Sequence, residues 1–364
     1  MIEAYKKAVI WLQSEAGFSS GVINRILSLP ESAVIRIPDD PAGSFAVVKS
    51  AAGEKAAEKI SVAAKNSDAF KKTLARMEIK GIKAVVRGES DYPEALSEID
   101  NPPPILYTVG DKSLLKSRSV AVVGSRNPTI QGEKTAYAFS EVLAKCSLTI
   151  VSGLARGIDA AAHRAALDAG GKTIAVLGTG VDRVYPAENR ALYEEIAKKG
   201  LLVSEYPPGT EAKAYHFPER NRIVSGLSDA VLVPEAREKS GALITADYAI
   251  KQGKELFIVP SAVNSECGRG SNKLLKELQG AMVLSPDDVI EALGLYRAPD
   301  SDATDMDLDV NEEKIMNRLQ LGNAHFEELI AVTGLKVSEL NALLTGMEIK
   351  GLVYRAENNC YGVY

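Results

Sequence analysis

Cysteine is scarce in this 364-residue chain, and Cys146, Cys267 and Cys360 are too far apart to form a C-x-x-C pair. That excludes a disulfide framework and a cysteine-based zinc site, and leaves three reduced thiols expected to pack as small apolar groups. No apolar run approaches the roughly 18–20 residues of a membrane helix, and the start, Met1-Ile2-Glu3-Ala4-Tyr5-Lys6-Lys7, lacks an apolar signal core. No membrane contact and a cytoplasmic location are therefore expected. Positive charge is not in excess either, since the formal net charge is -5. Seven carboxylates and no Lys or Arg lie between Asp300 and Glu313, however, and setting them aside leaves +2 for the remainder. What is present in ordinary amount is apolar residue, 46% against 25% charged, which describes a folded chain of about two to three domains.

The order of patterns sets the organisation. Residues 1–69 read as a small helical domain, with an amphipathic stretch around Trp11 and Leu12 and a second helix capped by Ser19 or Ser20. A connecting region from Phe70 to Arg118 holds a short strand, Lys83 to Val86, and the turn Pro102-Pro103-Pro104. Buried strands follow at Ser119–Val123, Leu148–Ser152, Thr173–Leu177, Leu201–Glu205, Ala230–Pro234, Glu255–Val259 and Ala281–Leu284, separated by helix-length intervals. A parallel connection must recross the sheet face, so this spacing predicts an α/β, Rossmann-like, doubly wound and mostly parallel sheet within residues 70–296. Residues 297–313 are an acidic linker too polar to order themselves. Residues 314–364 show three helical patterns and a terminal hairpin, a winged-helix arrangement. Its five bases and five acids do not favour a duplex-groove reader, and a protein-contact role is at least as consistent.

The loops after the strands carry the chemistry. They are Gly124-Ser125-Arg126, Ser152 to Asp159 with Gly153, Arg156 and Gly157, Tyr185-Pro186-Ala187-Glu188-Asn189, Phe217-Pro218-Glu219-Arg220-Asn221-Arg222, and Ser240-Gly241-Ala242-Leu243. Ligands of open parallel sheets sit beyond the carboxyl ends of the strands, so these loops are expected to converge there. Glycine turns and helix N-termini offer amides to anions, and arginine adds a donor fork suited to phosphate; a polyanion is the expected ligand. The loop after the first strand lacks both G-x-G-x-x-G and G-x-x-x-x-G-K-[ST], which disfavours nicotinamide and NTP chemistry; no cofactor or metal is expected. Asp159 reads as a helix cap and His163 as a structural histidine, with no nucleophile alongside, so no catalytic group is assigned. Phe217 is open between core packing and base stacking. Arg220 and Arg222 are open between phosphate contact and an ion pair to Glu205 or Glu219, with Lys213 and Arg183 extending the basic rim.

Taken in order, these motifs resemble the bacterial DNA-processing protein A family, also called DprA/Smf. The likeness runs from Asp91-Tyr92-Pro93 and Asn101-Pro102-Pro103-Pro104 through Val123-Gly124-Ser125-Arg126, Ser152 to Asp159, and Tyr185-Pro186-Ala187-Glu188-Asn189. It continues through Ser204 to Gly209, Phe217 to Arg222 with Ser225-Gly226-Leu227-Ser228, and Ser240 to Ala246. The resemblance implies an extended Rossmann domain that binds and shields single-stranded DNA and helps load the RecA recombinase during natural transformation. It also implies a non-enzymatic homodimer with a helical, SAM-like N-terminal domain and a C-terminal winged helix. Carried over by position, it implies a DNA site of Gly124, Ser125, Arg126, Phe217, Arg220, Asn221 and Arg222, to which the loop chemistry adds Arg156, Lys213, Ser240 and Gly241. Where several relatives have lysine, this chain has Ala187 and Ala214, leaving Lys213 or Arg183 as substitutes. Two other classes stay in view. A phosphoribohydrolase-type nucleotide enzyme uses a similar sheet, but its P-G-G-x-G-T run is replaced here by Ser240-Gly241-Ala242-Leu243. A protein-interaction scaffold would bind no nucleic acid.

Overall fold

Short β-branched and aliphatic runs, each closed by a glycine or proline turn, build a nine-stranded sheet in the computed structural model, which describes residues 2–63, 68–295, 309–319, 322–349, 352–356 and 359–363. The strands are β1 (Lys83–Val86), β2 (Ile105–Gly110), β3 (Ser119–Val122), β4 (Thr149–Ser152), β5 (Thr173–Val176), β6 (Leu201–Ser204), β7 (Ala230–Val233), β8 (Glu255–Ile258) and β9 (Ala281–Met282). Their order is β1-β2-β6-β5-β4-β3-β7-β8-β9. The seven from β3 to β9 are parallel, while β1 and β2 add an antiparallel edge on β6. β2 was not expected, because Pro102-Pro103-Pro104 masked the strand that starts immediately after it. β9 ends two residues before the expected Leu284, since the Leu284 and Ser285 amides turn to the Asp288 carboxylate at a helix start.

Alternation of side chains assigns the two faces. Val120 and Val122 of β3 pack with Ile150 and Phe257 on one face, whereas Ala121, Val151, Val231 and Leu256 point to the other. The first face is covered by Ile130–Lys145 and Ile158–Asp168, through Phe139, Leu143 and Ala162. The second is covered by the helix His216–Gly226, here α1, and by Gly241–Lys251, here α2, through Ile223, Val224, Ala246 and Ala249. Both faces are chiefly apolar, as a doubly covered parallel sheet requires, and the buried hydroxyls of Ser152, Thr173 and Ser204 donate to backbone carbonyls.

The first six helices, from Ile2–Ser14 to Asp68–Lys80, do not stand apart as the expected 1–69 domain. Residues 1–296 form one unit, and Trp11, Leu12, Ile23 and Ile60 share a continuous core with Tyr107, Ala175 and Leu202 of the sheet. The helix Asp68–Lys80 also crosses the expected boundary at residue 69. A buried polar hub joins helices and sheet at the end of β6. Glu205 accepts both forks of Arg222 at 2.7 Å, its second oxygen accepts from Ser20 at 2.8 Å, and its carbonyl accepts from Gln13, which in turn accepts from Tyr107 at 2.9 Å. Arg222 therefore belongs to this hub and not to a phosphate site.

Residues 297–364 form the second unit. It contains three helices, Val310–Leu319, Phe326–Thr333 and Val337–Ile349, and a small sheet of Ala324–His325, Cys360–Val363 and Val353–Arg355, closing on Ile315, Leu329, Leu344 and Val353. This is the winged-helix arrangement. Most of the acidic linker, residues 297–308, lies outside the described residues. Among the described residues no single helix is long and apolar enough to cross a membrane.

Removing one partner of a buried, hydrogen-bonded ion pair strands the other charge, which costs about 3–5 kcal/mol. Arg222→Ala is therefore expected to lower the unfolding free energy by that amount, read as a lower urea midpoint at unchanged slope, and the double change Arg222→Met with Glu205→Leu to recover most of it. An unchanged midpoint for the single variant would contradict the hub.

Candidate nucleic-acid interface

The order of the sheet reverses beside β3: the chain builds β4, β5 and β6 on one side and β7, β8 and β9 on the other. A crevice opens beyond the carboxyl ends at such a switch point. Here it is a cavity of about 420 Å³ lined by Gly124, Ser125, Arg126, Asn127, Gly153, Asp159, Phe217, Arg220, Asn221, Arg237, Lys239, Ser240, Gly241 and Ile244, among others. Arg126, Arg237 and Lys239 are exposed. Asp159 is the one carboxylate in this lining, against four cations.

Each loop is held by its own backbone. The Ser125 amide donates to the Glu235 carbonyl at 2.9 Å, and the Ser125 carbonyl accepts from Ile158 at 3.2 Å. The Glu235 carboxylate, itself buried, takes the Thr129 amide and hydroxyl at the start of the next helix. Arg126 is thus carried on a turn tied to β7 on one side and to the Gly153–Gly157 loop on the other. That second loop holds Leu154 at φ 56°, in the left-handed region, although its side chain is fully buried. A strained residue of this kind persists where its surroundings over-determine it. Asn189 does so, donating to the Leu154 and Ala155 carbonyls at 3.0 and 3.2 Å.

Asp159 is not the helix cap expected of it. Gly157 occupies that position, and the buried Asp159 carboxylate instead accepts from the Gly153 and Ala155 amides at 3.1 and 3.3 Å. Burial pushes its carboxyl up, opposed by the nearby Arg220 charge and by those two amides. Arg220 reaches from α1 across the strand ends, donating from one terminal nitrogen to the Gly153 carbonyl at 2.8 Å and to the Val176 carbonyl. A side chain at Gly153 would strike this guanidinium. Burial pulls the Arg220 pKa down to about 10, with Asp159 opposing the fall, so the group stays charged at neutral pH. Its Nε has no partner.

Phe217 sits at the N-terminal turn of α1, half-buried, with its ring so close over Gly178 that a Cβ there would lie 2.8 Å from it. The Arg126 guanidinium stands 5.8 Å from the ring centroid and the Tyr185 ring 5.0 Å from it. Arg126 is the exposed cation in contact with this ring. Asn221 ties α1 to the Gly241 carbonyl at 3.2 Å, and the Ser240 hydroxyl caps α2 by accepting from Ala242 at 3.2 Å.

The structure therefore gathers Gly124, Ser125, Arg126, Phe217, Arg220, Asn221, Ser240 and Gly241 into one cavity. Arg156 lies on an adjoining one and is ion-paired to Glu188. Lys213 lines neither; it lies 5.9 Å from the Tyr215 ring, so it does not extend the rim as expected. Arg222 is spent on Glu205. Sequence reasoning missed Arg237 and Lys239, although Arg237-Glu238-Lys239 stands directly before the Ser240-Gly241 helix start, where a basic run signals an anion site. Tyr185, whose ring adjoins Phe217, was not singled out in the sequence either. His163 is buried, 2.6 Å from the Thr173 hydroxyl, and serves packing. Among the described residues no group of three His, Cys, Asp or Glu is arranged to hold a metal ion.

Comparison with known proteins places these features in a family. Residues 83–294 match the model for DNA recombination-mediator protein A, and residues 299–359 match the model for the DprA winged helix domain. The chain is 37% identical over 340 residues to "Protein Smf" of Synechocystis, covering 83% of this chain and 85% of that one. It is 46% identical over 200 residues to "DNA processing protein DprA" of Streptococcus pneumoniae, 55% of this chain and 70% of the other. The X-ray structure of DprA from S. pneumoniae superposes with a TM-score of 0.69 at 33% identity, covering 81% of this chain and 99% of that one. The structure that describes the single-stranded DNA binding mode of DNA processing protein A from Helicobacter pylori superposes with a TM-score of 0.54 at 34% identity, covering 58% of this chain and 95% of that one.

Burial lowers the His163 pKa from 6.5 to about 3. The folded chain refuses a proton that the unfolded chain binds, so stability is complete above pH 6.5 and falls as the pH drops toward 3, by about 1.4 kcal/mol per unit. Unfolding free energies of His163→Asn, taken from urea titrations between pH 7 and 4, are expected to fall less steeply than those of the parent by that slope. Parallel acid limbs would contradict the assignment.

Proposed function

The chain belongs to the DNA recombination-mediator protein A family, and on that premise we propose that it binds and shields single-stranded DNA in the β3–β7 crevice and helps load the RecA recombinase in natural transformation. The observation that carries the reading is the exposed Arg126 guanidinium beside the half-buried Phe217 ring. A phosphate held by the fork places an attached base within reach of an aromatic face, which is how single strands are gripped without reading their sequence. Arg237 and Lys239 continue the positive rim, while Arg220 supplies a fixed buried charge beneath it.

A binding role without catalysis is supported by the fate of the crevice carboxylate. Asp159 is buried and occupied by two amides beside the Arg220 charge, so it is not poised over a sugar as a phosphoribohydrolase would require. We further propose a homodimer formed along β9, the sheet edge, where Leu278, Met282 and Leu284 are 90%, 59% and 72% exposed. An open edge strand flanked by apolar side chains is a ready template for a second copy.

Anisotropy of a fluorescent oligonucleotide at two salt concentrations tests the site. Phe217→Ala is expected to lose about 1–3 kcal/mol of affinity, and Arg126→Ala to reduce the salt slope by about 0.7, one phosphate contact on a single strand. Unchanged affinity and slope in both variants would refute it. Light scattering of Leu284→Glu is expected to give a monomer from a dimeric parent; a dimeric variant would exclude the β9 edge.

A further inference from the structure

Behind Phe217 lies a second cavity of about 430 Å³, walled by residues that include Arg156, Tyr185 and Glu188 and sharing Ala155, Phe217 and Arg220 with the first. Its volume falls in the range of small-ligand sites, about 300–1,000 Å³. Its character differs from that of its neighbour. The walls are chiefly apolar and aromatic, and Tyr185 leaves 47% of its surface open although its ring adjoins Phe217. An aromatic platform this open beside a phosphate-binding crevice has the chemistry of a base-stacking surface.

The mouth is edged by an ion pair. Arg156, from the Gly153–Gly157 loop, contacts Glu188, from the Tyr185–Asn189 loop, and both side chains are more than half exposed, at 59% and 58%. A pair so exposed contributes little and is readily exchanged for another partner. The two loops stay together without it, because Asn189 bonds the Leu154 and Ala155 carbonyls. Breaking the pair therefore frees the Arg156 fork without dismantling the cavity. Both walls are in place before any ligand arrives.

Resting on the single-strand reading above, we propose that this cavity takes a second nucleobase of the same strand, stacked on Tyr185, while Arg156 exchanges Glu188 for the adjoining phosphate. Glu188 then acts as a specificity determinant: it neutralises Arg156 in the free protein and must be displaced by an anion. The strand runs from the Arg126 side of Phe217 to the Tyr185 side, so the aromatic pair spans two successive base sites.

The test uses the full chain and a short oligothymidylate carrying one 2-aminopurine. Tyr185→Ala is expected to weaken binding about 5- to 150-fold and to lessen the quenching of 2-aminopurine on binding, while Tyr185→Phe keeps both. Glu188→Gln, which removes the competing charge at an exposed position, is expected to tighten binding about two- to fivefold. Arg126→Ala serves as the reference. If it weakens binding while Tyr185→Ala and Glu188→Gln both match the parent, the second cavity takes no base and the single-strand reading stands. If Arg126→Ala and Phe217→Ala also match the parent, the crevice itself is misassigned. Unchanged thermal midpoints for Tyr185→Ala and Tyr185→Phe separate lost stacking from lost folding.

Discussion

Two buried arginines on one helix decide what the crevice can do. Arg220 crosses the strand ends to the carbonyls of Gly153 and Val176, and Arg222 forks onto Glu205. Together they lock the start of α1 over the carboxyl edge of the sheet. Phe217 is thereby presented at a fixed height, and Arg126, on a neighbouring loop, remains exposed beside it. Division of labour among the arginines follows from burial. A buried guanidinium is held by protein acceptors, as Arg222 is by Glu205 and Arg220 by two carbonyls, whereas an exposed one is free to exchange water for phosphate.

The same hub links distant parts of the chain. Glu205 binds Ser20 and Arg222 through its carboxylate and Gln13 through its carbonyl, so the N-terminal helices are joined to the helix that carries Phe217. Their apolar faces share the sheet's core, with Trp11 and Ile60 packed among residues that include Tyr107 and Leu202. In energetic terms the helical segment belongs to the scaffold of the crevice. On the other side, Glu235 and Thr129 anchor the Arg126 turn, and Asn189 holds the left-handed Leu154. Rigid supports of this kind leave the exposed side chains with little to organise when a strand arrives.

Much of the sheet was legible in the sequence because each parallel strand is apolar on both faces and closed by a glycine or proline turn. Strands β3 to β8 lie where those runs predicted. β2 was hidden by the prolines before it, and the union of the first six helices with the sheet was hidden because periodicity reveals an apolar face but not its partner. Convergence of Gly124, Arg126, Phe217 and Ser240 was readable, since loops at one edge of a doubly wound sheet have nowhere else to go. The roles of Arg220 and Arg222 were not. An Arg-Asn-Arg run reads as a phosphate site until the depth of each fork is known, and depth depends on the helix's rotation against β4, β5 and β6. Asp159 changed role for a similar reason: its fixed distance from Gly153 and Ala155 exists only in the folded loop.

The most direct measurement of this division of labour is a crystal structure of the protein with a single-stranded hexanucleotide. Phosphate oxygens are expected on the Arg126 fork and a base against Phe217, with Arg222 still bidentate on Glu205 and Arg220 still on the Gly153 carbonyl. A complex in which Arg222 has left Glu205 for a phosphate, while Arg126 points into solvent, would contradict it.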